Sequence, residues 1–373
     1  MRTDAVVVGL GVMGSAAAFA LARRGVDVLA IERQPTLGHD RGSSHGESRI
    51  IRQAYFEDPA YVPLVQQAWR RWRELDERQG ISLLRRTGGL MLGEPGSRVV
   101  RGALRSANEH GLPHQLLDAA DLRRRFPAFR LEPDIVGVFE PRAGYIRAEE
   151  AVRALAREAE RAGAVVWKGR TVEAVRLRSD GVDVVSAGET IGAQKLVLAA
   201  GGWTSLLFPA LPVPLRVERQ VMVWFRMSSP GQCDGTGVPV FIADQAGGRQ
   251  FYGVPTLDGA TVKVAQHHGG IVTSADRIDR RVTPADTQEV ERFVKSALPG
   301  LGPIARTSVC FYTNTPDAHF ILAASREFPH AAVMAGFSGH GFKFAPELGD
   351  AVARWLLDEE PLPALFGIDG PRS

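Results

Sequence analysis

The stretch that most restricts the fold is DAVVVGLGVMGSAAAFALARRGVDVLAIER, residues 4–33. The apolar run over 5–8 reads as a buried strand, and Gly9, Gly11 and Gly14 follow it as G-x-G-x-x-G. An alanine-rich stretch then predicts a helix to Arg24. Gly25 ends it, and VDVLAIE predicts the next strand, closed by Glu32. This is a full βαβ unit with an acid about twenty residues beyond the glycines. Gly9 permits the tight turn, Gly11 lets the backbone approach a pyrophosphate, and Gly14 lets helix and strand pack closely. The first helical turn offers free N–H groups and partial positive charge to phosphate. Glu32 is placed to accept hydrogen bonds from ribose hydroxyls, and its charge disfavours the 2′-phosphate of NADP. A tight glycine turn without a ligand is the plainer alternative; strand, helix and acid together favour a dinucleotide. Asp4 precedes the run and glycines punctuate it, so it does not read as a signal peptide.

The glycines alone do not separate NAD from FAD. An NAD-binding chain usually continues as βα units. Here the pattern breaks after Arg33 into QPTLGHDRGSSHGESRIIRQAYFEDPAYVPL, rich in glycine, serine and histidine and then basic. That reads as a loop lying along an extended cofactor, followed by a helix. AQKLVLAAGGWTSLL, 193–207, predicts a strand passing under an ADP moiety, and no second strand–glycine–helix–acid unit is visible. FAD is therefore expected, without a second NAD(P)H site. The 373 residues, 45% hydrophobic, suffice for two domains. A net charge of +3 with no basic block argues against nucleic acid. No membrane span, retention address or metal site is expected, which points to a cytoplasmic protein. Two cysteines, Cys233 and Cys310, make no disulfide framework.

Lysine occurs only at 168, 195, 263, 295 and 343 in a chain whose basic residues are mostly arginine. Such positions invite the question of what needs a compact ammonium rather than a planar fork. In TVKVAQHH, alternation puts Lys263, Ala265 and His267 on one strand face and favours His267 over His268. That face either meets solvent or lines a site. In ESRIIR, Arg49 and Arg52 are three apart, so on a helical turn they share a face. They suit an anion or a salt-bridged surface equally. Cys310, in SVCFYTNTPD, reads by itself as a small buried hydrophobe; on a strand, Tyr312 points the same way. TPADTQEVERFVKSALPG reads as a capped helix. AGFSGHGFKFAPELGD, 335–350, is a glycine-rich turn between an apolar run and a helix, with Lys343 in it.

Four motifs fall in one order: GSSHGESRIIR (42–52), YGVP…VKVAQHHGG (252–270), SVCFYTNTPDAHFIL (308–322) and GFSGHGFKF (336–344). Together, over essentially the whole chain, they resemble the D-amino-acid-oxidase-like flavoproteins. The likeness is to the monomeric sarcosine oxidase group, which includes N-methyltryptophan oxidase and L-pipecolate oxidase. The resemblance implies an α/β chain, α+β overall. A Rossmann-like FAD domain (1–80, 145–215 and 308–373) is joined to a mixed or antiparallel-sheet substrate domain (81–144 and 216–307). It implies a thioether from Cys310 to the flavin, and a flavin environment of Arg33, Ser43, Ser44, His45, Arg49, Gly339, Gly341, Phe342 and Lys343. Arg52 and Lys343 would clamp the substrate carboxylate. Tyr252, His267 and Tyr312 would flank the amine, and Lys263 would assist O₂. The activity implied is oxidation of sarcosine or another N-methyl amino acid by a monomer: hydride transfer to flavin, an imine product, and H₂O₂ from O₂. Pipecolate, proline or fructosyl-amino-acid substrates, and a dehydrogenase with another acceptor, stay open.

Overall fold

The computed structural model describes residues 1–228, 237–245, 247–323 and 328–366; Cys233 lies outside them. The N-terminal pattern folds as it reads. Arg2–Val8 is a strand, Val12–Ala22 a helix and Val28–Glu32 the next strand. The strands Arg2–Val8 and Val28–Glu32 run parallel, with Val165–Lys168 beyond the second and Glu189–Leu198 beyond the first. Ala331–Val333 adds in parallel to Glu189–Leu198, and the hairpin Val172–Arg178/Gly181–Ser186 closes that edge antiparallel. Val28–Glu32 is buried at every position, as a parallel strand covered on both faces must be. The helix Ala148–Arg161 covers this sheet with Val12–Ala22 and Ala345–Leu356.

Among the described residues, a second sheet of nine strands is mixed. Its spine is Arg216–Met227, which pairs antiparallel with Leu301–Asn314 on one side and Thr261–His267 on the other. Arg249–Val254 and Val240–Gln245 continue it antiparallel; Gly89–Gly93 then joins parallel. The helix Pro284–Ala297, with a Thr283–Asp286 capping box, packs on the outer face, where Phe251 and Phe293 stack 4.4 Å apart. The strand Leu301–Asn314 crosses residue 308, where the sequence placed a domain boundary, and stays hydrogen-bonded into this sheet.

One local expectation fails. Arg49 is on a strand, Ser48–Ile51, paired with Gly144–Arg147, not on a helical turn with Arg52. Ile50 and Ile51 are β-branched and find a distant partner strand, which overrides the three-residue spacing.

Candidate active site

A cavity of ≈ 450 Å³ begins at Gly9–Met13, passes Glu32 and Arg33, and reaches Arg49, Tyr312 and Phe342. Its floor needs glycine. Gly9 has φ +88°, and a Cβ there would stand 2.6 Å from the Ala199 carbonyl oxygen. A Cβ on Gly14 would stand 1.8 Å from the Gly9 oxygen, so helix and strand touch as the motif requires. Gly11 caps the helix without a side chain, and Val12 N–H donates to Ser44 Oγ at 3.1 Å. Ser43 Oγ donates to the Phe311 carbonyl at 2.8 Å. Glu32 accepts from Leu10 N–H and Gln34 N–H, each at 2.8 Å, and lies 3.3 Å from His39 Nε2. Burial would raise its carboxyl, but His39 and the two N–H groups hold it below the ordinary value. A carboxylate has about four acceptor sites, so one is left for a ribose hydroxyl.

The second sheet supplies the far end. Residues directly opposite in paired strands point to the same face, and every second residue repeats it. Lys263 lies opposite Trp224, Cys310 opposite Gln220, and Tyr252 opposite Ala265. Pleat and register therefore put Tyr252, Lys263, His267, Cys310 and Tyr312 on one face. Lys263 is buried and donates from Nζ to the carbonyls of Gly46 (2.8 Å) and Ser48 (2.7 Å). Burial, then Arg49, pushes its ammonium well below the ordinary lysine value. Arg49 donates to the carbonyls of Ser48 and Ser43, each at 2.8 Å, and its Nη2 lies 3.6 Å from Cys310 Sγ. Burial raises the Cys310 thiol, but His45 and Arg49 outweigh it and bring it down to about 7. His45 is itself buried, with Nε2 unpartnered. His267 Nδ1 lies 3.2 Å from Tyr312 Oη. Burial and neighbouring His268 push His267 well below the ordinary value, so it is neutral. Burial pushes Tyr252 up to about 12.

His268, the alternative register, lies 3.4 Å from Glu218, and its ring stands 5.3 Å from that of Tyr312. Gly339 packs on Tyr312, where a Cβ would stand 2.6 Å from its ring, and Gly341 packs likewise on Phe337. Phe342 lies 5.8 Å beneath the Arg49 guanidinium.

Arg52 and Lys343 form a separate buried cluster. Arg52 Nη2 donates to both Glu57 carboxylate oxygens at 2.6 Å, and the Tyr55 and Phe56 rings flank the guanidinium at 4.4 and 4.2 Å. Burial would raise Glu57, but Arg52 holds it down at about 2. Lys343 Nζ donates to the His340 carbonyl and sits 5.1 Å over the Tyr55 ring. Burial, then Arg52, lowers Lys343 to about 7. His340 Nε2 faces the Ala318 carbonyl at 2.9 Å, which fixes it as the donor and leaves Nδ1 to accept from Tyr55 Oη.

A family model described as FAD dependent oxidoreductase matches residues 4–355. The chain belongs to the FAD-dependent oxidoreductases. It is 41% identical to monomeric sarcosine oxidase of Streptomyces avermitilis, over 95% of this chain and 93% of that protein. It is 35% identical to N-methyl-L-tryptophan oxidase of Yersinia pestis, over 96% of each. Among solved structures it is similar to NikD, an unusual amino acid oxidase essential for nikkomycin biosynthesis. That likeness has a TM-score of 0.85 and 26% identity, over 96% of this chain and 95% of that one. The expected α/β architecture and the expected resemblance both hold.

The residues present fit the flavin cofactor of this family. The Gly9–Gly14 cradle excludes side chains, the cavity has the volume of a ligand site, and its lining runs from that cradle past Ser43 and Ser44 to Arg49, Tyr312 and Phe342. Among the described residues no cluster of side chains could hold a metal, and no helix is long and apolar enough to cross a membrane. Glu57 was missed by the sequence reading; the signal was an acid five residues after Arg52, but nothing local says that the two meet. His340, whose carbonyl seats Lys343, was passed over as part of the glycine turn.

Proposed function

We propose that this chain is an oxidase of secondary-amine amino acids, sarcosine or another N-methyl amino acid, using O₂ as acceptor. The observation that carries the reading is the buried Arg52–Lys343 cluster, in which an internal carboxylate, Glu57, pairs with Arg52 and is held low by the field of Arg52 and Lys343. Its chemistry is that of a carboxylate site, and Arg52's planar fork matches one in two hydrogen bonds. Bound FAD would accept a hydride equivalent from the amine carbon and return the electrons to O₂ as H₂O₂.

The protein's own groups prepare the substrate. Only a neutral amine can give up hydride, and Arg49, Arg52 and Lys343 together disfavour the ammonium form of an amine held among them. His267 is neutral and adds no charge of its own; with Tyr312 it offers hydrogen bonds that orient the amine. Lys263, whose Nζ is fixed by two backbone carbonyls, would in its protonated form favour the charge that develops when O₂ is reduced. The lowered Cys310 thiol has the thiolate character that a covalent bond to the cofactor needs. We take the cofactor unit as 1–80, 145–215 and 308–373 and the substrate unit as 81–144 and 216–307, in a cytoplasmic monomer. The test is peroxide formation with sarcosine, N-methyl amino acids, pipecolate, proline and fructosyl-valine. No peroxide from any of them would sink the oxidase reading. Turnover with a dye but not with O₂ would make the protein a dehydrogenase.

A further inference from the structure

The mouth of the cofactor cavity is crossed by a segment that belongs to the other sheet. Val272–Thr273 pairs with Arg216–Met227, and the short turn Ala275–Arg277 follows it. Asp276 in that turn lines the cavity together with Arg33 and Trp203. Its Oδ1 accepts from Trp203 Nε1 at 2.7 Å and from Arg33 Nη1 at 3.3 Å. The Arg33 guanidinium stands 5.3 Å from the Trp203 ring centroid. Four residues further on, Arg280 donates to the carbonyls of Asp40 (2.8 Å), Arg41 (2.9 Å) and Val309 (3.0 Å). The segment is thus tied at one end to the Glu32 side of the cavity and at the other to the loop that carries Ser43 and Ser44. Contact beneath it is close: a Cβ on Gly202 would stand 3.0 Å from Ala275 and 2.9 Å from Phe311.

We propose that residues 276–280 form a strap across the adenosine end of the cavity, and that Asp276, Trp203 and Arg33 are the latch controlling entry and release of FAD. The two ends of the strap differ in kind. Arg280 makes three bonds to backbone carbonyls, which suits a fixed anchor. Asp276 and Arg33 are about half exposed, at 50% and 47%, so water replaces their contact easily. An ion pair that exposed adds little to the stability of the fold, whereas at the mouth of a cavity it adds directly to the barrier a ligand must cross. The inference rests on FAD occupying the cavity, which family membership supplies, and not on which amine is oxidised.

The test removes any covalent link with Cys310→Ala and follows FAD release by the rise in free-flavin fluorescence. Adding Asp276→Ala or Trp203→Phe should speed release about two- to fivefold, as loss of a half-exposed charge-assisted contact predicts. Asp276→Asn keeps an acceptor for Trp203 but loses the ion pair, so it should abolish the salt-induced acceleration of release. The melting temperature of the apoprotein should not change. If Cys310→Ala does not retain FAD, calorimetric binding of ADP to its apoprotein reads the same end of the cavity, and Asp276→Ala should weaken it. Unchanged release and ADP affinity would overturn the latch. So would a fall in apoprotein stability that accounts for the faster release, since the contact would then be a clasp between sheets. Failure of the amine reading, no peroxide with any substrate, leaves the release rates intact and is read separately.

Discussion

Lys343 holds its ammonium in a buried position with a hydrogen bond to the His340 carbonyl and two aromatic faces at 5.1 and 5.3 Å. An ammonium so placed is costly, and the cost appears as a value lowered from 10.5 to about 7. The sign fixes a prediction. A carboxylate ligand favours the charged lysine, so its binding to free enzyme should weaken as pH rises through about 7. Lys343→Met should raise KM for the amino acid ~10- to 100-fold, the worth of a hydrogen bond to a charged group, and should flatten that pH dependence. Flavin content should be unaffected. An unchanged KM would remove Lys343 from the carboxylate clamp. Glu57 gives the complementary test. Its carboxyl is lowered from 4.5 to about 2 by Arg52, so the stability it contributes is present above 4.5 and is lost as pH falls through about 2. Glu57→Gln leaves Arg52 buried and unneutralised, which costs about 3 kcal/mol. A carboxylate ligand should therefore raise the Tm of Glu57→Gln more than that of the native protein; equal shifts would mean that Glu57 and the ligand do not share a site. Two non-glycine residues in left-handed conformation adjoin His340: Ala318, whose carbonyl accepts from its Nε2, and Ser338, two residues before it. Strain of that kind gathers where function fixes the backbone.

The strand Leu301–Asn314 links the two ends of the site, since it carries Cys310 and Tyr312 while staying paired with Arg216–Met227. If Cys310 bonds to the flavin, yellow colour should stay with acid-precipitated native protein and leave with the supernatant in Cys310→Ala. With the thiol lowered to about 7, the rate at which apoprotein becomes coloured should rise with pH through that value. Colour lost from the native pellet would make the link absent. At this scale the sequence was most legible. Strongly signalled segments folded as they read, as with the strand–helix–strand unit of Arg2–Glu32 and the capped helix Pro284–Ala297. Alternation in TVKVAQH, joined to the register with Tyr252 and Trp224, accounts for the shared face of Lys263 and His267. What could not be read depends on distant partners. Ser48–Ile51 is a strand because Gly144–Arg147 lies beside it, and Asp276 is remarkable in no local pattern until the fold sets it between Arg33 and Trp203. Glu57 needed a turn, not a period, to reach Arg52.

In the whole molecule, the Gly9–Gly11 loop and the Lys343 turn are held together from behind. The helix Val12–Ala22 starts at the first, and the helix Ala345–Leu356 starts just after the second. They cross so closely that a Cβ on Gly349 would stand 2.6 Å from the Ala16 backbone. A third helix, Val62–Gln79, reaches the same turn, where Trp72 Nε1 donates to the Lys343 carbonyl at 2.8 Å. Asp350 joins all three. It is 2% exposed and pairs with Arg24 at 2.9 Å, with Arg71 at 2.6 Å, and with Arg23 and Arg354. Burial alone would raise its carboxyl, but Arg24, Arg71 and Arg23 hold it below the ordinary 3.8. Its contribution is therefore present above pH 3.8 and is lost as pH falls through the depressed value. Asp350→Asn removes the charge while keeping the volume, and leaves partly buried arginines facing one another. That should cost about 2–4 kcal/mol, near the low end for a broken buried pair because the arginines reach solvent. The measurable result is a Tm lower by several degrees in apoprotein and holoprotein alike, with a weaker acid limb to the stability profile. KM should rise only as far as the Lys343 turn shifts, far less than in Lys343→Met. A KM effect as large as that of Lys343→Met without a loss of Tm would mean that Asp350 acts on the substrate pocket directly, rather than by holding three helices in register.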